Sequence, residues 1–259
     1  MSGDSPDISI NKTFLPRKSA KLAKNFHRER RELHESEPLM ISPTESAAGK
    51  DNAPIYELKI VLLGTKPPVW RRLRVPGDAS LGWLHAAIQV TMGWTNSHLH
   101  HFLTADARYT DPRHSEDMGF GEQRDRDETK ATLAQVAPGE GAQFGYEYDF
   151  GDSWEHEIIV EKILSGPAAA ATTALCLDGA RACPPEDCGG IWGYAELLKT
   201  LKNSQHPEHQ AMKEWLGGPF DAETFDAAKV NLWLRKLKWP RVTEAQLRKV
   251  LMGRNGYRE

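Results

Sequence analysis

Alternation of apolar and polar positions begins at Ile55 and sets out the fold in order. Over 56–63, Tyr56, Leu58 and Ile60 share one side, the period of two that marks a half-buried strand. Residues 64–68 (Gly-Thr-Lys-Pro-Pro) make a turn. Over 69–75, Val69, Arg71, Leu73 and Val75 then oppose Trp70, Arg72 and Arg74. These two runs predict a β-hairpin with a longer loop. After a break at 76–79, Ser80 is placed to cap a helix, and Leu81, Leu84, Ala87, Ile88, Thr91 and Met92 follow helical spacing up to Gly93. A short strand is expected over 98–104 and another around 107–110, followed by a long polar loop over 111–130. Residues 132–137 suit a short helix or an edge segment. Residues 143–148 and 154–164 form a second hairpin. From 194 onward the spacing turns helical: 194–202 after Gly193, then a helix from Pro207 to Leu216, 225–237, and 243–252 closed by Gly253.

Strands first and helices later predict an α+β fold. The expectation is a mainly antiparallel sheet of hairpins, packed by one central helix and a C-terminal helical cluster. Residues 1–52 are broken by Pro6, Pro16, Pro38 and Pro43 and offer only Leu22, Phe26 and Leu33 as an apolar face over 19–34. They read as a disordered or partly helical basic extension, because so thin a stripe cannot fold alone. Residues 53–240 read as the α+β domain, and 241–259 as a basic C-terminal helix or tail. Ala168 begins a low-complexity insertion with no assignable role.

Charge changes this picture. The net charge of −3 hides segregation: 12–31 carries eight Lys/Arg against one acid, and 229–258 nine against one, while the middle is strongly acidic. Basic ends can neutralise phosphates and release counterions. They can equally dock on the acidic body or remain solvated. Lys21, Lys24 and Arg28 at one end, and Arg248 and Lys249 at the other, are the candidate contacts for DNA or RNA. Trp70, Arg72 and Arg74 join them, because aromatic and guanidinium groups on one strand face can stack bases and hold phosphate. The alternative is that these arginines pair with the acidic body. No apolar run approaches a membrane span, and the start of the chain lacks the features of a secretory signal. Three cysteines in a chain of 259 residues fit reduced thiols in a cytoplasmic setting.

The densest chemistry lies in the turn of the second hairpin, Tyr148-Asp149-Phe150-Gly151-Asp152-Ser153-Trp154-Glu155-His156. A turn needs Gly and Asp, but not Trp and His directly after them. With His98 and His100 on one face of the preceding strand and His101 on the other, His100, His156, Asp149 and Asp152 could converge. Imidazole with carboxylate suits a transition metal or acid–base work near neutral pH. Candidate catalytic groups are therefore Asp149, Asp152, Glu155, His156 and His100. Candidate metal ligands are His98, His100 and His156, and separately Cys176, Cys183 and Cys188. The cysteine gaps of six and four residues do not match a zinc knuckle, and a fourth ligand would have to come from a histidine or Asp187. Glu186 and Asp187 precede a helix and suit either its N-terminus or a site beside the histidines. No cofactor is required by the sequence, and zinc is possible. A polar hydrogen-bonded sheet edge, with Trp94, Phe150 and Trp154 as core, explains the same residues structurally.

Several motifs occur in a fixed order. They are Tyr56-Glu-Leu-Lys-Ile60, Pro67-Pro-Val-Trp-Arg-Arg72, Leu84-His85, Ile88-Gln89, Met92-Gly-Trp94, His98-Leu-His100, the turn motif above, Cys183-Pro-Pro-Glu-Asp-Cys-Gly-Gly190, Gly193-Tyr194, Trp215-Leu-Gly-Gly218 and Phe225-Asp226. Over roughly 54–237 the chain resembles the Ri-plasmid third-open-reading-frame family, whose members are also labelled resolvase-like, TnpR-type passenger proteins of insertion sequences. The resemblance implies a compact α+β domain carried on plasmids, mobile elements and prokaryotic chromosomes, and it transfers no catalytic residue. The expected function is a non-enzymatic, nucleic-acid-associated or mobile-element accessory module. The alternatives are a metal-dependent phosphodiester hydrolase using the His/Asp cluster, or a scaffold that binds a protein partner.

Overall fold

The second hairpin sits in the middle of the sheet rather than at its edge. The computed structural model describes residues 53–114, 125–165 and 173–254. The expected N-terminal extension, with Lys21, Lys24 and Arg28, and the alanine-rich insertion lie outside the described residues. Eight strands form one sheet: β1 (Ile55–Leu62), β2 (Val69–Pro76), β3 (His100–Leu103), β4 (Arg108–Thr110), β5 (Asp125–Asp127), β6 (Gln143–Tyr148), β7 (Trp154–Leu164) and β8 (Leu175–Ala180). Their order is β5-β4-β3-β6-β7-β1-β2-β8. Every pairing is antiparallel except β4 with β5. Among the described residues six helices accompany them: α1 (Leu81–Met92), α2 (Leu133–Val136), α3 (Gly190–Lys202), α4 (His209–Trp215), α5 (Ala227–Leu234) and α6 (Glu244–Arg254). The architecture is α+β.

Helix α1 is the central element. Ser80 caps it by accepting a hydrogen bond from the Trp83 N–H at 3.2 Å, and Gly93 ends it in the left-handed region with its N–H on the Gln89 carbonyl. Nearly all of its residues are buried, as expected of a helix that is apolar almost all round. It lies on the sheet face bearing Leu58, Ile60, Leu73 and Ile158, and α5 and α6 add Leu234, Leu247, Val250 and Leu251 to the same core. The other face carries the polar alternates. There Arg72 donates to both Glu161 oxygens at 2.5 and 3.1 Å, and Arg74 grips Glu57 at 2.6 and 2.8 Å. Trp70 lies under both Arg72 and Lys59, at 5.2 and 5.5 Å.

Four local departures from the expected pattern have physical causes. The strand β8 carries Gly and Asp in place of alternation, and β2 recruits it through a register shift at Arg72/Leu73. The strand β5 falls in the expected polar loop. It is held by parallel pairing to β4 and by Arg108, which donates to Asp125 at 2.5 and 2.9 Å. Gly193 does not precede α3 but lies inside it, and glycine is required there because a side chain would come within 1.9 Å of the Cys188 carbonyl. Gly253 likewise lies within α6, where it lets the helix pass Trp233.

Arg71 is the least anticipated core residue. Its position on the apolar face of β2 leaves it 1% exposed. No ion pair reaches it among the described residues; instead its Nε donates to the Thr91 carbonyl at 3.2 Å, and Nη1 to the Trp70 and Ala180 carbonyls at 2.8 Å each. Its guanidinium sits 4.0 Å from the Phe225 ring centre. The last carbonyls of a helix have no partner within it. Helix α1 has no basic residue in its own last turn, and Arg71 and Arg254 supply that charge from elsewhere in the chain. Arg254 donates to the Val90 carbonyl at 3.0 Å and also to that of Gly93.

Candidate functional site

Three of the motif segments are tied to one another at the end of the sheet. The Asp149 N–H donates to the Leu99 carbonyl at 2.8 Å, which fixes the β6–β7 turn against the start of β3. Glu186 accepts from the Thr95 N–H at 3.1 and 3.2 Å and from the Thr95 and Tyr148 hydroxyls. The Trp94 indole donates to the Pro184 carbonyl at 3.1 Å, and the Gly189 N–H donates to Asp152 at 3.1 Å. Gly190 is required where it stands: its φ is +66°, and a side chain would meet the Asp152 carbonyl at 2.4 Å. The carboxylates of Glu186 and Asp152 therefore serve as braces that bring 94–98, 148–156 and 183–190 together.

Three ligand-type side chains meet where these segments join. His98, Asp149 and Asp187 each bring one ligand atom, and all three atoms lie within 4.8 Å of one another. His98 Nε2 is 3.3 Å from Asp187 Oδ1 and 3.7 Å from Asp149 Oδ2. Although shielded from solvent, Nε2 forms no hydrogen bond to either. Asp149 is aimed by its own turn: Oδ1 accepts from the Gly151 and Asp152 N–H groups at 3.0 and 3.4 Å, which leaves Oδ2 toward the imidazole. The His98 ring is set edge-on against Tyr148 at 5.7 Å.

His98 and Asp149 border a cleft of about 910 Å³ that runs from the β6–β7 turn to α6. On its floor His85 and His100 stack in parallel with ring centres 3.4 Å apart. His85 spans the Tyr146 hydroxyl at 2.9 Å and Asn96 at 2.7 Å. His100 is hydrogen-bonded to Glu128 at 2.9 Å. Burial disfavours charge here: it lowers both imidazoles to about 3 and raises the Glu128 carboxyl to about 7. Arg113, His114, Glu244 and Arg248 form the rim.

The candidates do not all assemble in one place. His100 and His156 both face the core, but Tyr146 stands between them, with ring centres at 5.9 and 5.4 Å. His156 is 1% exposed, sits edge-on to Trp94, and is lowered to about 4 by burial. Glu155 lies on the opposite sheet face beside Glu147, which pairs with His101 at 3.2 Å. Among the described residues, neither His100, His156 nor any cysteine joins a group of three possible ligands. Burial raises the Cys176 thiol to about 11 and those of Cys183 and Cys188 to about 12. Trp94 and Trp154 are core as expected. Phe150 is not; it is 39% exposed, lies on the cleft wall and is tilted over His101. Arg72 and Arg74 follow the alternative in which they pair with acids.

Fold and cleft define a class: an α+β protein whose mainly antiparallel sheet carries a His/Asp-lined cleft, built at the junction of three motif loops. The chain belongs to the plasmid pRiA4b ORF-3-like family, which matches residues 54–229. It is 36% identical over 193 residues to the uncharacterized protein y4hQ of Sinorhizobium fredii, covering 73% of this chain and 96% of that protein. The crystal structure of MM3350 from Methanosarcina mazei Go1, a protein of unknown function, superposes with a TM-score of 0.59. It is 34% identical, covering 68% of this chain and 97% of that one. Among the described residues no helix is long and apolar enough to cross a membrane.

Proposed function

We propose that the protein is a nucleic-acid-associated accessory module of mobile elements, which holds the phosphate backbone on the surface around the α5–α6 connection. The plasmid in the family's name fits this setting. The observation that carries the reading is the charge of residues 235–249. Arg235, Lys236, Lys238, Arg241, Arg248 and Lys249 are all exposed, and Glu244 is the one acid among them. The connection is anchored rather than loose. The Trp83 indole donates to the Lys238 carbonyl at 3.0 Å, Trp239 packs edge-on against Trp83 at 5.2 Å, and Thr243 and Gln246 cap α6 reciprocally. A fixed backbone that presents six cations lowers the ordering cost of binding a polyanion. Arg72 and Arg74, already neutralised by Glu161 and Glu57, are left out of this surface.

Fluorescence anisotropy with a 20-base-pair duplex tests the proposal. If all six cations meet phosphates, log K falls against log salt with a slope of about −5, so affinity drops about 10³-fold between ~50 and ~200 mM. Replacing Arg248 and Lys249 by Glu should make the slope shallower by about 2. No binding at ~50 mM salt, or an unchanged slope in that variant, overturns it.

A further inference from the structure

We infer that His98, Asp149 and Asp187 form a site for one divalent transition ion, zinc in the first place. The spacing is the first argument. Ligand bonds of ~2.1 Å at tetrahedral angles put ligand atoms ~3.4 Å apart, and His98 Nε2 stands 3.3 and 3.7 Å from the two carboxylate oxygens. Those same distances come with no hydrogen bond, although the nitrogen is buried. A buried polar atom normally has a partner. An imidazole at these distances from two carboxylates pairs with them when protonated and can share an ion with them when neutral.

The second argument is the support behind the ligands. The Asp149 side chain is 9% exposed, and its free oxygen Oδ2 points at His98 because the turn amides hold the other. The backbone on either side of Asp187 is held, by Glu186 on Thr95 and Tyr148 and by Gly189 on Asp152, while its own side chain is 71% exposed. The amide bonds to Asp149 are outer partners of the kind that orient metal ligands. One imidazole and two carboxylates suit a borderline ion better than magnesium or calcium, which take oxygen sets. Three protein ligands leave a fourth position for water or a ligand atom, and His98 and Asp149 both line the cleft. The cysteines take no part in this site. The inference is independent of nucleic-acid binding.

Titration calorimetry of the full chain with Zn²⁺ alone, without nucleic acid, tests it. The wild-type protein should take up one equivalent. Asp187→Asn, at a mostly exposed position whose left-handed φ of 58° Asn tolerates, should weaken binding at least 10-fold while the circular dichroism spectrum stays native. His98→Gln should do the same, and Cys188→Ser should leave affinity unchanged. Absence of Zn²⁺ uptake by the wild type overturns the site. So does undiminished affinity in folded Asp187→Asn, or a loss confined to Cys188→Ser.

Discussion

Replacing Arg71 should produce an unusual order of damage. Its guanidinium is 1% exposed and held by three carbonyls rather than by an acid. Hydrogen bonds from a charged donor contribute about 1.5–3 kcal/mol each, but a buried cation also carries a desolvation cost of several kcal/mol. Arg71→Met removes both and keeps most of the volume against Phe225, so its net cost should be about 1–3 kcal/mol. Arg71→Lys keeps the charge but loses the planar fork that spans the Thr91 and Ala180 carbonyls. A buried charge without its full set of partners costs about 3–5 kcal/mol, so Lys should be worse than Met. Urea unfolding followed by tryptophan fluorescence measures the difference. In a thermal melt the Lys variant should fall about 6–20 °C, at ~2–4 °C per kcal/mol for a domain of this size. A Lys variant within ~0.5 kcal/mol of wild type, or more stable than Met, would show that charge rather than fork geometry holds this position.

Acid should weaken the fold through His156, whose folded-state value is about 4, against ~6.5 when unfolded. Its contribution is intact above ~6.5 and is lost as pH falls toward 4, because only the unfolded chain takes up the proton in that window. This amounts to about 3 kcal/mol, and urea midpoints at pH 7.5 and 5 should differ less in a His156→Asn variant than in wild type. Gly193→Ala should abolish stable folding or cost more than ~3 kcal/mol, since the added carbon would stand 1.9 Å from the Cys188 carbonyl. Soluble Gly193→Ala protein with a wild-type melting temperature would contradict the backbone path drawn for α3.

Much of the fold is legible in the pattern. Both hairpins, the Ser80–Gly93 helix and the C-terminal helices follow from local periodicity, which is what strand pairing and helix burial impose. Strands β5 and β8 escape because their pairing partners, not their own side chains, make them strands. The site was legible in part. The turn motif singles out Asp149 and the histidine run His98, but their meeting with Asp187 depends on three loops joined through Glu186 and Asp152. No spacing in the chain encodes that junction. His100 and His156 share a residue type with His98 but face the core, and only the register of β3, β6 and β7 separates them. His85 had a signal of its own: with Gln89 it puts two large polar groups four residues apart on a helix whose one other polar side chain is Thr91. Glu128, in a polar stretch without periodicity, had none. Arg71 is the opposite case, a charge on the apolar side of an alternating strand, where it stands out as a conflict that carbonyls of α1, β2 and β8 together resolve.

The arginine pair at the end of α1 also bears on how the chain is made. Arg71 precedes that helix, whereas Arg254 follows it by more than 160 residues. On the ribosome α1 can form and meet β2 early, yet its final turn keeps carbonyls without their second donor until α6 emerges. Closure of the core is thus deferred until α6 has emerged, and chains cut short before it would expose a helix end and the apolar bed of α6 to proteases and chaperones.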